Sequence, residues 1–288
     1  VTMDLAPASH PRRIVNGLSV DVEDWFQVGA FEKTIARGEW DACDFRVERN
    51  VDCVLALFDR AGVKATFFTL GWVAEHVPQA IRAIADAGHE IASHGYDHQR
   101  VFTMDRAAFA EDLRKSREIL EDASGQAVTG YRAPSFSIDA RNLWAFDELA
   151  QQGYAYSSSV APIAHDHYGW REAPRFAFRP VEGASLVELP VTTAMLGKRR
   201  MAAGGGGFFR TLPYGFSRWA INQVNREEGQ PAIFYFHPWE VDPGQPRVAG
   251  APLRSRLRHY TNLSAMEAKL ERLLGDFSWG RIDAIAHN

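Results

Sequence analysis

Short runs that are apolar at nearly every position recur along this chain of 288 residues, and a longer stretch with helical spacing follows almost every one. A run of that kind needs cover on both faces. Strands that alternate with helices obtain it by pairing in parallel beneath their crossovers. Residues 14–21, 63–69, 89–93, 128–132, 154–158, 186–190 and 232–237 read as strands. Val47, Val51, Val54, Leu55 and Phe58 share a helical face within 47–61, and helices are also predicted over 74–87, 107–123, 139–152, 214–228 and 263–277. Asp105 and Asp139 are the N-caps, and Gly88, Gly125 and Gly153 are stop signals. About seven such units predict a barrel rather than an open sheet. Residues 161–212 break the rhythm with Gly, Pro and short apolar runs, which predicts a partly β insertion. The Gly204, Gly205, Gly206, Gly207 run reads there as a mobile loop; no Lys-Ser/Thr follows it, so it is not a phosphate loop.

Composition narrows the class. The chain is 46% hydrophobic and 24% charged, with net charge -4 and pI about 6.2. That is globular, with no basic footprint for nucleic acid or an anionic membrane. No run is long and apolar enough to span a membrane, and residues 1–13 lack the apolar core of a secretory signal, so the chain reads as cytoplasmic. Residues 1–13 read as a disordered or tag-like N-terminus, and 14–288 as one domain with a helical C-terminal extension over about 240–288. Its two cysteines are too few for a disulfide scaffold or a cysteine zinc site, and Cys53 reads as a buried thiol on the 47–61 helix.

Four segments carry chemistry, each at the end of a predicted strand. His94 and His98, in Ser-His-Gly-Tyr-Asp-His, are one helical turn apart, so both imidazoles can face one point. Two histidines with one carboxylate leave positions open on a divalent metal, and neutral imidazole suits zinc, cobalt, nickel or iron. Asp21, Glu23 and Asp24 crowd three carboxylates into four residues; a cation relieves their repulsion and leaves one free as a general base. Taken alone, this cluster reads first as a solvated acidic turn and helix cap. Arg132, in Gly-Tyr-Arg-Ala-Pro134-Ser135, ends a buried strand and needs an anion, for which Asp21 is the natural candidate. His237 ends a very apolar strand, either as a packed core residue or as a general acid. His89 and His76 read as structural.

In order, these segments resemble the polysaccharide deacetylases that share the NodB homology domain, carbohydrate esterase family four, over roughly residues 15–239. Asp21-Val-Glu-Asp-Trp-Phe, Tyr131-Arg-Ala-Pro-Ser-Phe and Phe236-His-Pro-Trp-Glu are further similar to a branch associated with bacterial exopolysaccharide loci. The resemblance implies an irregular (β/α)7 barrel with a β/loop insertion. It also implies a zinc-dependent hydrolase, with cobalt or nickel as substitutes, that removes acetyl groups from an N-acetylated poly- or oligosaccharide. O-deacetylation stays open. It assigns Asp21 as catalytic base, Arg132 as the group that orients it, and His237 as general acid. His94, His98 and one carboxylate hold the metal, and the Ser135 backbone N–H receives the oxyanion. For that carboxylate Glu23 shares the strand face of Asp21, whereas Asp24 has the shorter side chain usual in the family; Asp24 is preferred and Glu23 is the alternative.

The chain departs from the pattern at Ser157, where an Asp is usual, and this predicts a loss of orientation for a neighbouring group. Tyr235 replaces the usual Leu. Pro134, Tyr168, Trp170 and Trp239 are candidate sugar contacts. His165 and His167 offer a weak second HxH spacing, and Arg254, Arg256, Arg258 and His259 form a basic stretch that reads as a solvated face or a lid. Two rivals share the barrel: a hydrolase of a small non-sugar amide, and a carbohydrate-binding relative without catalysis.

Overall fold

A computed structural model describes residues 14–164 and 169–287. The alternation seen in the sequence builds one parallel sheet. Its strands are β1 (Val15–Val22), β2 (Thr66–Thr69), β3 (Glu90–Ser93), β4 (Gly130–Tyr131), β5 (Tyr156–Ser157), β6 (Val187–Glu188), β9 (Ile233–Phe236) and β10 (Ser278–Gly280). Between β6 and β9 lies an antiparallel hairpin, β7 (Thr193–Leu196) and β8 (Arg199–Ala202). The main sheet runs β9–β1–β2–β3–β4–β5–β6. Strand β10 pairs with residues 15–17 of β1, on the side where β2 takes over from Ser19.

Among the described residues β6 and β9 do not pair as strands. Irregular backbone fills the gap between β6 and β9: Thr192 N–H donates to the Ile233 carbonyl at 3.1 Å, and Tyr235 N–H to that of Gly204 at 2.8 Å. This is an α/β half-barrel with an inserted hairpin, as expected. The C-terminal region is not helical alone, because it returns β10 to the sheet.

The helices are α1 (Val47–Ala61), α2 (Gly71–His76), α3 (Pro78–Asp86), α4 (Arg106–Ser124), α5 (Trp144–Gln151), α6 (Gly206–Thr211), α7 (Tyr214–Asn222), α8 (Leu253–Tyr260), α9 (Met266–Asp276) and α10 (Ile282–Ala286). The single helix predicted over 74–87 is two helices, broken at Val77, because Pro78 has no N–H to continue a ladder and sits instead in the first turn of α3. The helix predicted from Asp139 begins only at Trp144; the Asp139 side chain serves the Arg141 backbone in the preceding turn. Asp105 caps α4 through Ala108 N–H at 2.8 Å, as its position predicted.

Adjacent residues on a strand serve opposite cores. Phe67 packs outward with Val54, Phe58, Ile81 and Ile84 under the helices. Phe68 packs inward with Ala92, Tyr156, Leu189 and Ile233. Ile282 of α10 joins this inner cluster and covers the N-terminal mouth of the barrel. At roughly 1.5–3 kcal/mol for each fully buried large apolar side chain, both clusters contribute heavily to folding. Cys53 is exposed rather than buried, since it falls beside the apolar stripe of α1 that Val47, Val51, Val54 and Phe58 occupy.

Candidate active site

The predicted residues meet at the C-terminal ends of β1, β3, β4 and β9. Strand β1 puts Asp21 and Glu23 on one face, and Glu23 lies one residue past the strand, its N–H 3.1 Å from the Asp21 carbonyl. One oxygen of Glu23 and one nitrogen each of His94 and His98 lie within 4.8 Å of one another. His98 Nε2 stands 3.0 Å from Glu23 Oε2, a buried oxygen with no well-formed hydrogen bond. The 94–98 loop is pinned from outside: Trp72 N–H donates to the Tyr96 carbonyl, and Tyr96 N–H donates to Asp112 Oδ1 at 3.0 Å. His98 itself takes φ of 60°, strain held in place by that anchoring.

Electrostatics suit this set to a cation. His94 is 2% exposed, and burial holds it down to about 4, so it is neutral. Its Nδ1–H donates to the Arg132 carbonyl at 2.8 Å, which leaves Nε2 as a lone-pair donor. Burial raises Glu23, but His98 and His237 more than offset it and hold the carboxyl at about 2. An ionised carboxylate with an orphan oxygen beside two histidines fits a divalent metal.

Asp24, the carboxylate preferred from sequence, is elsewhere. Its Oδ2 accepts the N–H groups of Arg46 at 2.7 Å and Val47 at 2.9 Å, and its Oδ1 accepts that of Trp25 at 2.8 Å. It seats the start of α1, so the carboxylate beside the histidines is Glu23.

Arg132 lies across the barrel mouth, wholly buried. One guanidinium nitrogen donates to Asp21 Oδ1 at 2.5 Å and to Ser19 Oγ at 2.8 Å; the others bind the Ser158 carbonyl and hydroxyl. The side chain of Arg132 thus fixes Asp21 while its carbonyl fixes His94. Ser135 and Phe136 follow with φ of 55° and 50°, a left-handed turn of non-glycine residues that aims the backbone after Pro134.

His237 stands on the other side of Glu23, its Nε2 3.5 Å from Oε1. Its Nδ1 is 2.8 Å from Glu240 Oε1. Burial alone would lower its pKa, but Glu23 and Glu240 carry it up to about 9. Trp239 stacks on His237 at 5.1 Å, and His259 stacks on the far face of Trp239 at 4.1 Å.

Trp239 is therefore not a sugar platform. It is 6% exposed, both ring faces are covered, and its Nε1–H donates to Glu23 at 3.3 Å. Trp170 is half-buried against the main core. Tyr168, His165 and His167 lie outside the described residues, as do residues 1–13. His259 is buried, which removes it from the basic face formed by Arg254, Arg256 and Arg258. The glycine run is packed rather than loose. A Cβ on Gly204 would meet the Ile233 carbonyl oxygen at 2.5 Å, and one on Gly206 would meet Glu240 Oε1 at 2.2 Å.

Among the described residues around the site, two buried carboxylates, Glu240 and Glu188, escaped the sequence reading. Glu240 closes on His237. Glu188, in register with Ser157, accepts the N–H groups of Ser159 and Val160 at 2.9 and 2.8 Å. Glu240 was signalled by its place three residues after a strand-end histidine; nothing local signalled Glu188.

Comparison with known proteins places the chain among similar sequences and folds. Residues 38–156 match the family model "Polysaccharide deacetylase", and residues 158–287 match "Domain of unknown function (DUF3473)". The peptidoglycan deacetylase of Helicobacter pylori is 34% identical over 118 residues, 40% of this chain and 39% of that protein. The peptidoglycan deacetylase-like protein FGM2 of Gibberella zeae is 31% identical over 160 residues, 54% of this chain and 46% of that one. The chain thus spans less than half the length of either relative. In fold it is similar to a Mycobacterium smegmatis protein provisionally named a polysaccharide deacetylase. The TM-score is 0.60 and the identity 21%, with 99% of this chain and 93% of the other covered. Residues 38–156 thus carry a polysaccharide deacetylase match, and His237 lies in the stretch, residues 158–287, that matches DUF3473.

Proposed function

We propose that the chain is a metal-dependent hydrolase that removes N-acetyl groups from a polysaccharide or oligosaccharide, with residues 14–288 acting as one catalytic unit. The observation that carries this reading is the grouping of Glu23, His94 and His98 between the Asp21–Arg132 pair and His237. Those three residues would hold the divalent ion, zinc first. When bound, the ion supplies Lewis-acid polarisation of an acetyl carbonyl and lowers the pKa of a water. Asp21, with one oxygen held by Arg132, takes a proton from the water that attacks the carbonyl carbon. The Ser135 N–H receives the oxyanion. As the C–N bond breaks, His237 Nε2–H gives a proton to the leaving nitrogen, and acetate and a free amine result.

The motif similarities around Asp21, Arg132 and His237 favour an exopolysaccharide as the natural substrate. The test is acetate release from N-acetylglucosamine oligomers by protein stripped of metal and then given zinc, cobalt or nickel. Metal-restored release is expected. Zinc binding without release from any acetylated glycan or small amide would favour a binding role, and protein that takes up no metal would overturn the site.

A further inference from the structure

The DUF3473 region packs a buried chain of contacts behind His237. Glu240 is wholly buried, and Arg210 is 1% exposed. Glu240 divides its carboxylate: Oε1 faces His237 Nδ1 at 2.8 Å, and Oε2 accepts Arg210 Nε–H at 2.5 Å. Arg210 in turn donates to the carbonyls of Arg258, His259 and Thr261 around the end of α8. Gly206 lets α6 approach Glu240 more closely than any side chain permits. At Ser157 the barrel offers a hydroxyl bonded to Ser159 Oγ at 2.7 Å, not a carboxylate.

A carboxylate can only accept, so the contact fixes one tautomer and one ring orientation. Nδ1–H points at Glu240, and Nε2 points toward Glu23 and the space above it. A proton donor needs that geometry.

Resting on the hydrolase reading above, we propose that Glu240 is a positioning residue for His237, that Arg210 and Gly206 hold it in place, and that the DUF3473 region thereby orients the proton donor. The alternative is that Glu240 only caps its own turn, since Oε1 also accepts the His237 backbone N–H at 3.1 Å.

Two measurements separate these. The first compares zinc-loaded wild type, Glu240→Gln and His237→Ala on N-acetylglucosamine oligomers and on 4-nitrophenyl acetate, whose leaving group needs no proton. Glu240→Gln should lose at least about tenfold in kcat on the amide, with KM within about threefold, and keep the ester rate within about threefold. His237→Ala should show the same split. Equal loss on both substrates, or no loss on the amide, overturns the proposal. Because Glu240→Gln leaves the Arg210 charge unpaired, Arg210→Met/Glu240→Gln serves as the second variant and should reproduce the split. The second measurement is the long-range proton–nitrogen NMR spectrum of the His237 ring. Nδ1 should be protonated in the wild type, and that signal should move in Glu240→Gln; a wild-type ring protonated only at Nε2 overturns the assignment. If the wild type releases no acetate from any substrate, the hydrolase reading fails, and the NMR result alone decides whether Glu240 holds His237.

Discussion

Neighbouring carboxylates with opposite tasks make the sharpest test of this site. Asp24 satisfies three backbone N–H groups where α1 begins. Replacing it by alanine leaves those donors without an acceptor in a buried place. At about 1 kcal/mol each, the low end for a lost partner, Asp24→Ala should cost about 3 kcal/mol. Part of that is offset because the carboxylate is itself penalised: burial, against those same N–H groups, raises it to about 6. At pH 7 that penalty returns up to about 3 kcal/mol, so the net loss should be at most about 3 kcal/mol, and zinc affinity should change little. Glu23→Gln should differ at the metal. It removes a carboxylate that, against burial, His98 and His237 face at 3.0 and 3.5 Å and hold at about 2, so metal-free stability should also fall, by about 1–3 kcal/mol. Zinc affinity should fall by at least about 100-fold, because a direct ligand outweighs the 10–100-fold effect of an outer partner. Urea unfolding of the metal-free proteins and zinc titration calorimetry read the two quantities separately. If Asp24→Ala loses zinc and Glu23→Gln keeps it, the assignment of the ligand is wrong.

Three further outcomes are expected. Gly206→Ala should destabilise by about 1–3 kcal/mol and lower kcat, since its Cβ would meet Glu240 Oε1 at 2.2 Å; wild-type melting and turnover would show that α6 yields freely. Burial raises Asp112 to about 7, so its protonated form belongs to the folded state and stability should decline as pH rises from about 4 to 7; Asp112→Asn should flatten that decline and gain on the order of 3 kcal/mol at pH 7.5, and an unchanged pH profile would refute it. Exposed Cys53 should react with Ellman's reagent in the folded protein within minutes, and a thiol silent until denaturant is added would contradict its placement.

Much of this architecture can be read from residues a few positions apart. Helix α1 occupies the range its apolar spacing predicts, and Asp105 and Gly125 bound α4 as cap and stop. The Asp21–Arg132 pairing follows from the cost of a buried, unmatched guanidinium. Period-2 alternation correctly put Glu23 on the face of Asp21; the preference for Asp24 set it aside in favour of side-chain length. What defeated that preference was distant in sequence, because Asp24 is claimed by the docked end of α1 at Arg46 and Val47. The glycine run failed as a loop prediction for the same reason. Its close approaches to Ile233 and Glu240 exist only once β9 is in place. Strand β10, with the sequence Ser-Trp-Gly, is too short to show a period.

Strand β1 pairs with β2, β9 and β10, and Gly17 alone faces both Ile233 and Gly280. During synthesis this strand therefore emerges more than two hundred residues before two of its three partners. At roughly 5–20 residues per second, Asp21 and Glu23 wait about 10–50 s with one edge of their strand unpaired and His237 not yet made. Loop-closure entropy makes such late, long-range pairing slow. The nascent barrel is thus most exposed to misassembly and chaperone capture in the interval when its acidic edge is complete and its last strands are not.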